Sequence, residues 1–232
     1  MSRSNIRALL VVPANNTTME PEIRAYCPSI SELYVARVAR PARTLVKEDI
    51  PAYRVSTLAA AEPFAGKAID VVIYGCTAAG FLAGPAGDSE ISSALSQRFG
   101  VETVTTAGAM VEVLRSEHAA RVDVVTPYQD VVNDGLKAYL TASGITVTVL
   151  DSFRVKTTDE LGAITSEQVL ALARKTATPD AQAMFIACSQ LPTRDIIPVL
   201  RRELKRPVWS SIQATAWAVL TRLEQPLDRL VA

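Results

Sequence analysis

The sequence predicts an α/β protein built from two pseudo-symmetric domains, each a four-stranded parallel sheet flanked by helices. Three observations carry that expectation. Apolar, β-branched runs alternate with longer amphipathic stretches from end to end, and alternating βα units bury both faces of a parallel sheet under helices. Two of the runs recur, ALLVVP as RVDVVTP and VVIYGCT as AMFIACS. The recurrences keep a nearly constant offset: Pro13 and Pro127 are 114 residues apart, Cys76 and Cys188 are 112 apart, and duplication of a unit of about 110 residues accounts for both.

The amino-terminal run ALLVVP ends in a proline and polar residues, without the longer apolar core and cleavage site of a secretory signal, and is read as the first strand. In the helix that follows, Asn16 and Thr17 stand where a cap belongs and Glu20 where a capping box closes. Cys27, in MEPEIRAYCPSI, is read as a packing residue of that helix. LYVAR and AIDVVIYG are the next strands. After Cys76 the stretch GFLAGPAGDSE, with Gly80 and Gly84, is read as a flexible loop that shapes a pocket mouth and closes over substrate. It lacks both G-x-G-x-x-G and a P-loop lysine, so it is not a phosphate cradle.

VETVTT closes the first half. The seam is placed near Thr106 to Gly108, giving halves 1–107 and 108–210. The helix AMVEVLRSEHAARV carries the single histidine, His118, on its surface near the carboxyl end. RVDVVT and AMFIA are continuous runs suited to strands buried on both faces, with TVTVL and PVWSS completing the second sheet. The helix around VLALARKTAT is read as exposing apolar surface for subunit contact. The last segment, 211–232, begins with SIQATAWAVLTRLEQ and is read as packing back on the first half.

Composition narrows the function. With 24 basic and 24 acidic residues among 232 the net charge is zero, so no long-range field concentrates nucleic acid or anionic membrane. No apolar stretch reaches the length of a membrane span. Three cysteines (Cys27, Cys76, Cys188) without a secretory leader are read as reduced thiols of a cytoplasmic protein. One histidine and no Cys-x-x-Cys or His-x-x-x-His spacing exclude a zinc cage and a Ser-His-Asp triad, so no metal is assigned.

Cys76 and Cys188 each follow directly on a predicted buried strand. In open α/β sheets the crevice outside the carboxyl ends of the strands binds ligands, so both thiols are candidates to face one substrate between the halves. A cysteine at a helix amino terminus has its pKa lowered. A resting site with one thiolate and one thiol is the predicted state, coupling between the two raising the second pKa.

Four segments, VVPANNTTMEPEI, YGCTAAGFLAG, TPYQDVVND and ACSQLPTRDIIPVLRRELKRPVWSSIQATAW, together resemble the aspartate/glutamate racemase superfamily, in its maleate cis-trans isomerase and arylmalonate decarboxylase branch. The resemblance implies an enzyme without cofactor that acts on small dicarboxylates, with catalytic cysteines at Cys76 and Cys188. It favours isomerase or racemase over decarboxylase chemistry, because the decarboxylases keep only the second cysteine. The motif asparagine falls on Asn16 rather than Asn15, and with Tyr128 it is implied to bind substrate carboxylate. The backbone N–H groups of Thr77, Ala78, Ser189 and Gln190 are implied donors to the charge-rich carboxylate.

Thr77-Ala78-Ala79 and Ser189-Gln190 depart from the family's habits. The loop after TVTVL holds no second carboxylate-binding asparagine, leaving Thr157, Thr158 or Glu160 in that neighbourhood. Cis-trans isomerisation of a maleate-type diacid is the leading reading. Amino-acid or hydantoin racemisation, arylmalonate-type decarboxylation and non-catalytic small-molecule binding follow in that order. Which thiol is nucleophile and which is acid/base stays interchangeable, and a homo-oligomer, dimer or tetramer, is the default assembly.

Overall fold

In the computed structural model, which describes residues 5–231, the chain forms two four-stranded sheets of the same parallel topology. The first half runs β1 (Ile6–Pro13), α1 (Met19–Tyr26), β2 (Ile30–Val38), α2 (Ile50–Ala61), β3 (Val71–Tyr74), α3 (Thr77–Leu82), α4 (Gly84–Phe99), β4 (Thr103–Thr105) and α5 (Thr106–Ser116). The second runs β5 (Arg121–Thr126), α6 (Asp130–Ala142), β6 (Thr146–Ser152), α7 (Thr158–Gly162), α8 (Ser166–Thr176), β7 (Ala183–Ile186), α9 (Ile197–Leu204), β8 (Val208–Ser210), α10 (Ser211–Arg222) and α11 (Asp228–Val231).

Strand orders β2-β1-β3-β4 and β6-β5-β7-β8 place β1, β3, β5 and β7 inside their sheets. This is why their sequences are apolar on both faces, whereas the edge strands β2 and β6 alternate or stay half exposed. One charge interrupts the pattern: Asp123 in β5 is fully buried, and Arg206 reaches it at 2.7 Å while the Thr178 N–H donates at 2.7 Å. A buried carboxylate persists only when paired and hydrogen-bonded.

The duplication extends to individual hydrogen bonds. Gly75 N–H donates to Val11 O and Ala187 N–H to Val125 O, both at 2.8 Å. Likewise Asp70 N–H donates to Arg7 O and Gln182 N–H to Arg121 O, both at 2.8 Å. In return the Asp70 carboxylate accepts from Arg7 N–H and the Gln182 side-chain oxygen from Arg121 N–H. At the ends of the sheets Thr105 and Ser210 cap α5 and α10 through their side-chain oxygens. These two equivalent helices pack on each other, with Arg222 of α10 bonded to Glu112 of α5 at 2.7 Å, and α10 also lies against α1. A cut between residues 107 and 108 passes through the first turn of α5.

Three local expectations are corrected, and Cys27 packs in the core as expected. The stretch after Cys76 is no loop: residues 77–99 are two helices, α3 fully buried, joined at Gly84 in the left-handed conformation (φ 72°). Pro85 opens α4, where the missing N–H costs nothing. The leucines of α8, Leu170 and Leu172, are half-buried and pack on the core where the helix covers β5 and β6, rather than forming an exposed apolar face. His118 lies two residues beyond α5, exposed, with φ 53°. Cys27 stands just past α1, completely buried, its thiol pushed up to about 12 by burial.

Candidate active site

The carboxyl ends of β1, β3, β5 and β7 converge on one cleft between the halves. Its walls bring together all eight residues singled out in the sequence: Asn16, Cys76, Thr77, Ala78, Tyr128, Cys188, Ser189 and Gln190. Pro13, Asn15, Arg40, Thr44, Leu45 and Leu161 complete it, around a cavity of about 20 Å³. A larger hollow of about 570 Å³, between α3–α4 and α6, is lined by no thiol. Among the described residues, no three His, Cys, Asp or Glu side chains gather as metal ligands would.

Both thiols end a third strand of their sheet, yet they are held differently. Cys76 is the cap residue of α3, with extended backbone, and is 3% exposed. Burial pushes its thiol above the ordinary value, opposed by the charge of Arg40, the N–H groups of Ala79 and Ala78, and the Tyr53 hydroxyl beside the sulfur. Cys188 is 5% exposed and is followed by turns, α9 beginning only at Ile197. Burial pushes it up too, opposed mainly by Tyr128 and by the Gln190 N–H, which lies 3.4 Å from the sulfur. A thiolate at Cys76 raises Cys188 further. Burial thus works against the predicted resting thiolate, with Arg40 and the nearby N–H groups working for it. The N–H groups of Ala78 and Gln190, expected to face a carboxylate, face the sulfurs instead.

The polar residues around the thiols mostly tie the halves together. Asn16 accepts the N–H groups of Thr18 and Met19 (3.1 and 2.9 Å) and donates through Nδ2 to Ser189 O and Oγ (3.0 and 3.2 Å). It thus caps the entry to α1 alone, and Glu20 pairs with Arg24 and Arg37 rather than closing a capping box. Ser189 Oγ donates to Gly75 O at 2.8 Å. The Gln190 amide accepts from Thr17 N–H at 3.0 Å and donates to Thr17 Oγ1 at 3.1 Å, while the Thr18 hydroxyl donates to Gln190 O. Behind them Glu22 accepts from the N–H groups of Thr193 and Arg194, and burial raises its carboxyl. In this geometry the amides of Asn16 and Gln190 are occupied within the protein. The Tyr128 carbonyl accepts from Asn133 Nδ2 and Ser152 Oγ, which fixes the ring against Phe81 (5.5 Å between centroids) and its hydroxyl toward Cys188.

Of the second-half loop, Thr157 is spent capping α7, Thr158 N–H donates to Ala42 O at 2.8 Å, and Glu160 accepts from Lys156 N–H. None of the three lines the cleft; Leu161 does. The residue that sequence reasoning missed is Arg40. It follows β2 at the same carboxyl edge as the cysteines, a signal that was available but masked by the arginine-rich run VARVARPAR. Tyr53, from the middle of α2, carried no signal at all.

Two lobes of one topology, each presenting a thiol from the end of its third strand, define a two-cysteine enzyme of the aspartate/glutamate racemase fold. The arylmalonate decarboxylase family profile matches residues 10–230, and the chain belongs to that family. It is 30% identical to a maleate isomerase of Nocardia farcinica over 226 residues, covering 94% of this chain and 90% of that one. Among solved structures it is similar to the maleate isomerase Iso of Pseudomonas putida S16, with TM-score 0.88, 25% identity, and coverage of 95% of this chain and 94% of that one. It is equally similar (TM-score 0.88, 29% identity, 95% and 94% covered) to a mutant of the Nocardia farcinica maleate cis-trans isomerase with a covalently bound succinylcysteine intermediate.

Proposed function

We propose that this chain is a cofactor-independent isomerase that converts a small cis-dicarboxylate of the maleate type to its trans isomer through Cys76 and Cys188. The observation that carries the proposal is the meeting of two buried thiols in one cleft with unequal surroundings. Arg40 is the foremost influence favouring the anion of Cys76 and the least of those acting on Cys188. That asymmetry suits Cys76 to be nucleophile and Cys188 to be the proton carrier.

In this reading the Cys76 thiolate adds to one alkene carbon. The π pair moves to the neighbouring carbon and into its carboxylate, and the Cys188 thiol protonates that carbon. The former double bond is now single and turns. Cys188 takes a proton back, the C–S bond breaks toward Cys76, and the trans alkene forms with no net oxidation or reduction. Burial serves the chemistry as well as raising the pKa: a dry cleft strengthens every donor aimed at the developing charge. The same proposal places the enzyme in the reducing cytoplasm, supported by three unpaired cysteines, and takes a homo-oligomer as the default assembly, which light scattering tests.

Proton NMR of the purified protein with maleate in deuterated water tests the activity. Fumarate should appear with wild type and be lost in Cys76→Ser. Exchange of an α-proton on aspartate or glutamate without alkene chemistry would instead assign racemisation to the same two thiols.

A further inference from the structure

A cleft built for a dianion needs positive charge or free donors, and most polar groups here are already engaged with one another. The amides of Asn16 and Gln190 and the hydroxyl of Ser189 all have partners across the seam. Three groups in the wall do not. Asn15 Oδ1, an acceptor, and Arg40 Nε and Thr77 Oγ1, both donors, are buried and make no hydrogen bond. Arg40 donates only through Nη2, to Arg43 O at 3.2 Å, and forms no ion pair among the described residues. No Asp or Glu lines the cleft, so the guanidinium is its sole formal charge.

The backbone that carries Arg40 is not a loose tail. The segment after β2 meets the equivalent segment after β6: Arg43 and Thr157 form an isolated antiparallel bridge, and Thr158 N–H donates to Ala42 O at 2.8 Å. Arg43 is further held by Asp49, at 2.6 and 2.7 Å. Arg40 thus stands where the two lobes touch, in the wall of the cleft that holds both thiols.

We infer that Arg40 is the substrate-binding cation of this site, its planar fork holding one carboxylate of the diacid while Thr77 Oγ1 supplies a second free donor. The inference rests on the proposed function for the identity of the substrate class, and it adds a selection rule: the site prefers a dicarboxylate over the same molecule with both ends uncharged. A guanidinium matches a carboxylate through two parallel N–H donors, and a neutral amide offers it half the acceptors and no charge.

Calorimetric titration with succinate and succinamide, which have no alkene to isomerise, separates binding from turnover. Wild type should bind succinate at least about ten-fold more tightly than succinamide, the worth of a charge-assisted hydrogen bond. R40Q should lose most of that preference, and R40K should keep part of it. Wild type without the preference, or folded R40Q that retains it, would overturn the assignment. Circular dichroism establishes the fold of each variant; should R40Q fail to fold, R40K carries the test, and an undiminished preference in it would count against the clamp. A shift in the pH midpoint of thiol alkylation in R40Q with the succinate preference intact would make Arg40 a tuner of the thiols only, and would also overturn it. Maleate left unturned by a protein that still shows the Arg40-dependent preference would sink the isomerase reading alone. Turnover alongside an R40Q-insensitive preference would sink the clamp alone.

Discussion

At the scale of single residues, the two cysteines were legible because a residue closing a buried parallel strand has few places to point other than the crevice. Their protonation was not. A helix end and a nearby cation argue for a low thiol pKa, but 3% and 5% exposure reverse the balance, and burial is a property of the assembled lobes. The sign of the pH dependence follows. Both thiols lie above the ordinary value of 9.0, so the Cys76 thiolate is a minority at neutral pH and grows as pH rises. The kcat/KM for maleate should climb steadily from pH 6 to pH 9, and iodoacetamide labelling of Cys76 should climb with it. A plateau already reached at pH 7 would contradict that. Asn16, Ser189 and Gln190 were found by resemblance as residues of the site; that their side chains are absorbed in the seam needed coordinates, since hydrogen-bond partners 173 residues apart leave no local trace.

At the scale of elements, the central strands and most helices follow from periodicity, while the misread segment shows where punctuation misleads. Gly84 and Pro85 read as loop signals, yet one glycine in the left-handed region and one proline in a first helical turn are what a break between two abutting helices requires. Gly75 has a different reason. A Cβ there would stand 2.6 Å from Met19 Sδ and 2.7 Å from Val12 Cγ1, so α1 and β1 close over the strand end that presents Cys76. Gly75→Ala should cost about 1–3 kcal/mol in urea unfolding, as overpacked cores do.

A second element-level device joins α4, α5 and α6. Asp88 is buried, bonded to Thr105 Oγ1 at 2.6 Å and Tyr139 OH at 3.3 Å, and desolvation raises its carboxyl from 3.8 to about 6. A folded-state pKa above the unfolded one stabilises at low pH and is lost as pH rises through the folded value. Asp88→Asn should therefore gain on wild type between pH 4 and pH 6, by roughly 3 kcal/mol from a two-unit rise. A pH-independent difference between the two would refute the buried charge.

For the whole molecule, duplication was readable from two landmarks at nearly one offset, and paired hydrogen bonds at Gly75 and Ala187 and at Asp70 and Gln182 show how far the two copies still correspond. What the sequence did not disclose is how the lobes are fastened. Residues 16–18 and 22 grip residues 189–194 through side chains on both sides, and the site sits at that seam. Gln190→Leu removes two of these bonds and should lower stability by about 1–3 kcal/mol while lowering kcat/KM, because the cleft geometry depends on the lobes staying in register. Unchanged melting and unchanged activity together would show the seam to be incidental.

The proposed reaction needs a covalent bond from one sulfur and a proton from the other. Intact-mass and peptide mass spectrometry of Cys188→Ser incubated with maleate reads this most directly. The predicted result is a protein heavier by one maleic acid, with the added mass on the peptide carrying Cys76 and absent from Cys76→Ser. Addition at Cys27, or no adduct from a Cys188→Ser protein that still turns maleate over at the wild-type rate, would contradict it.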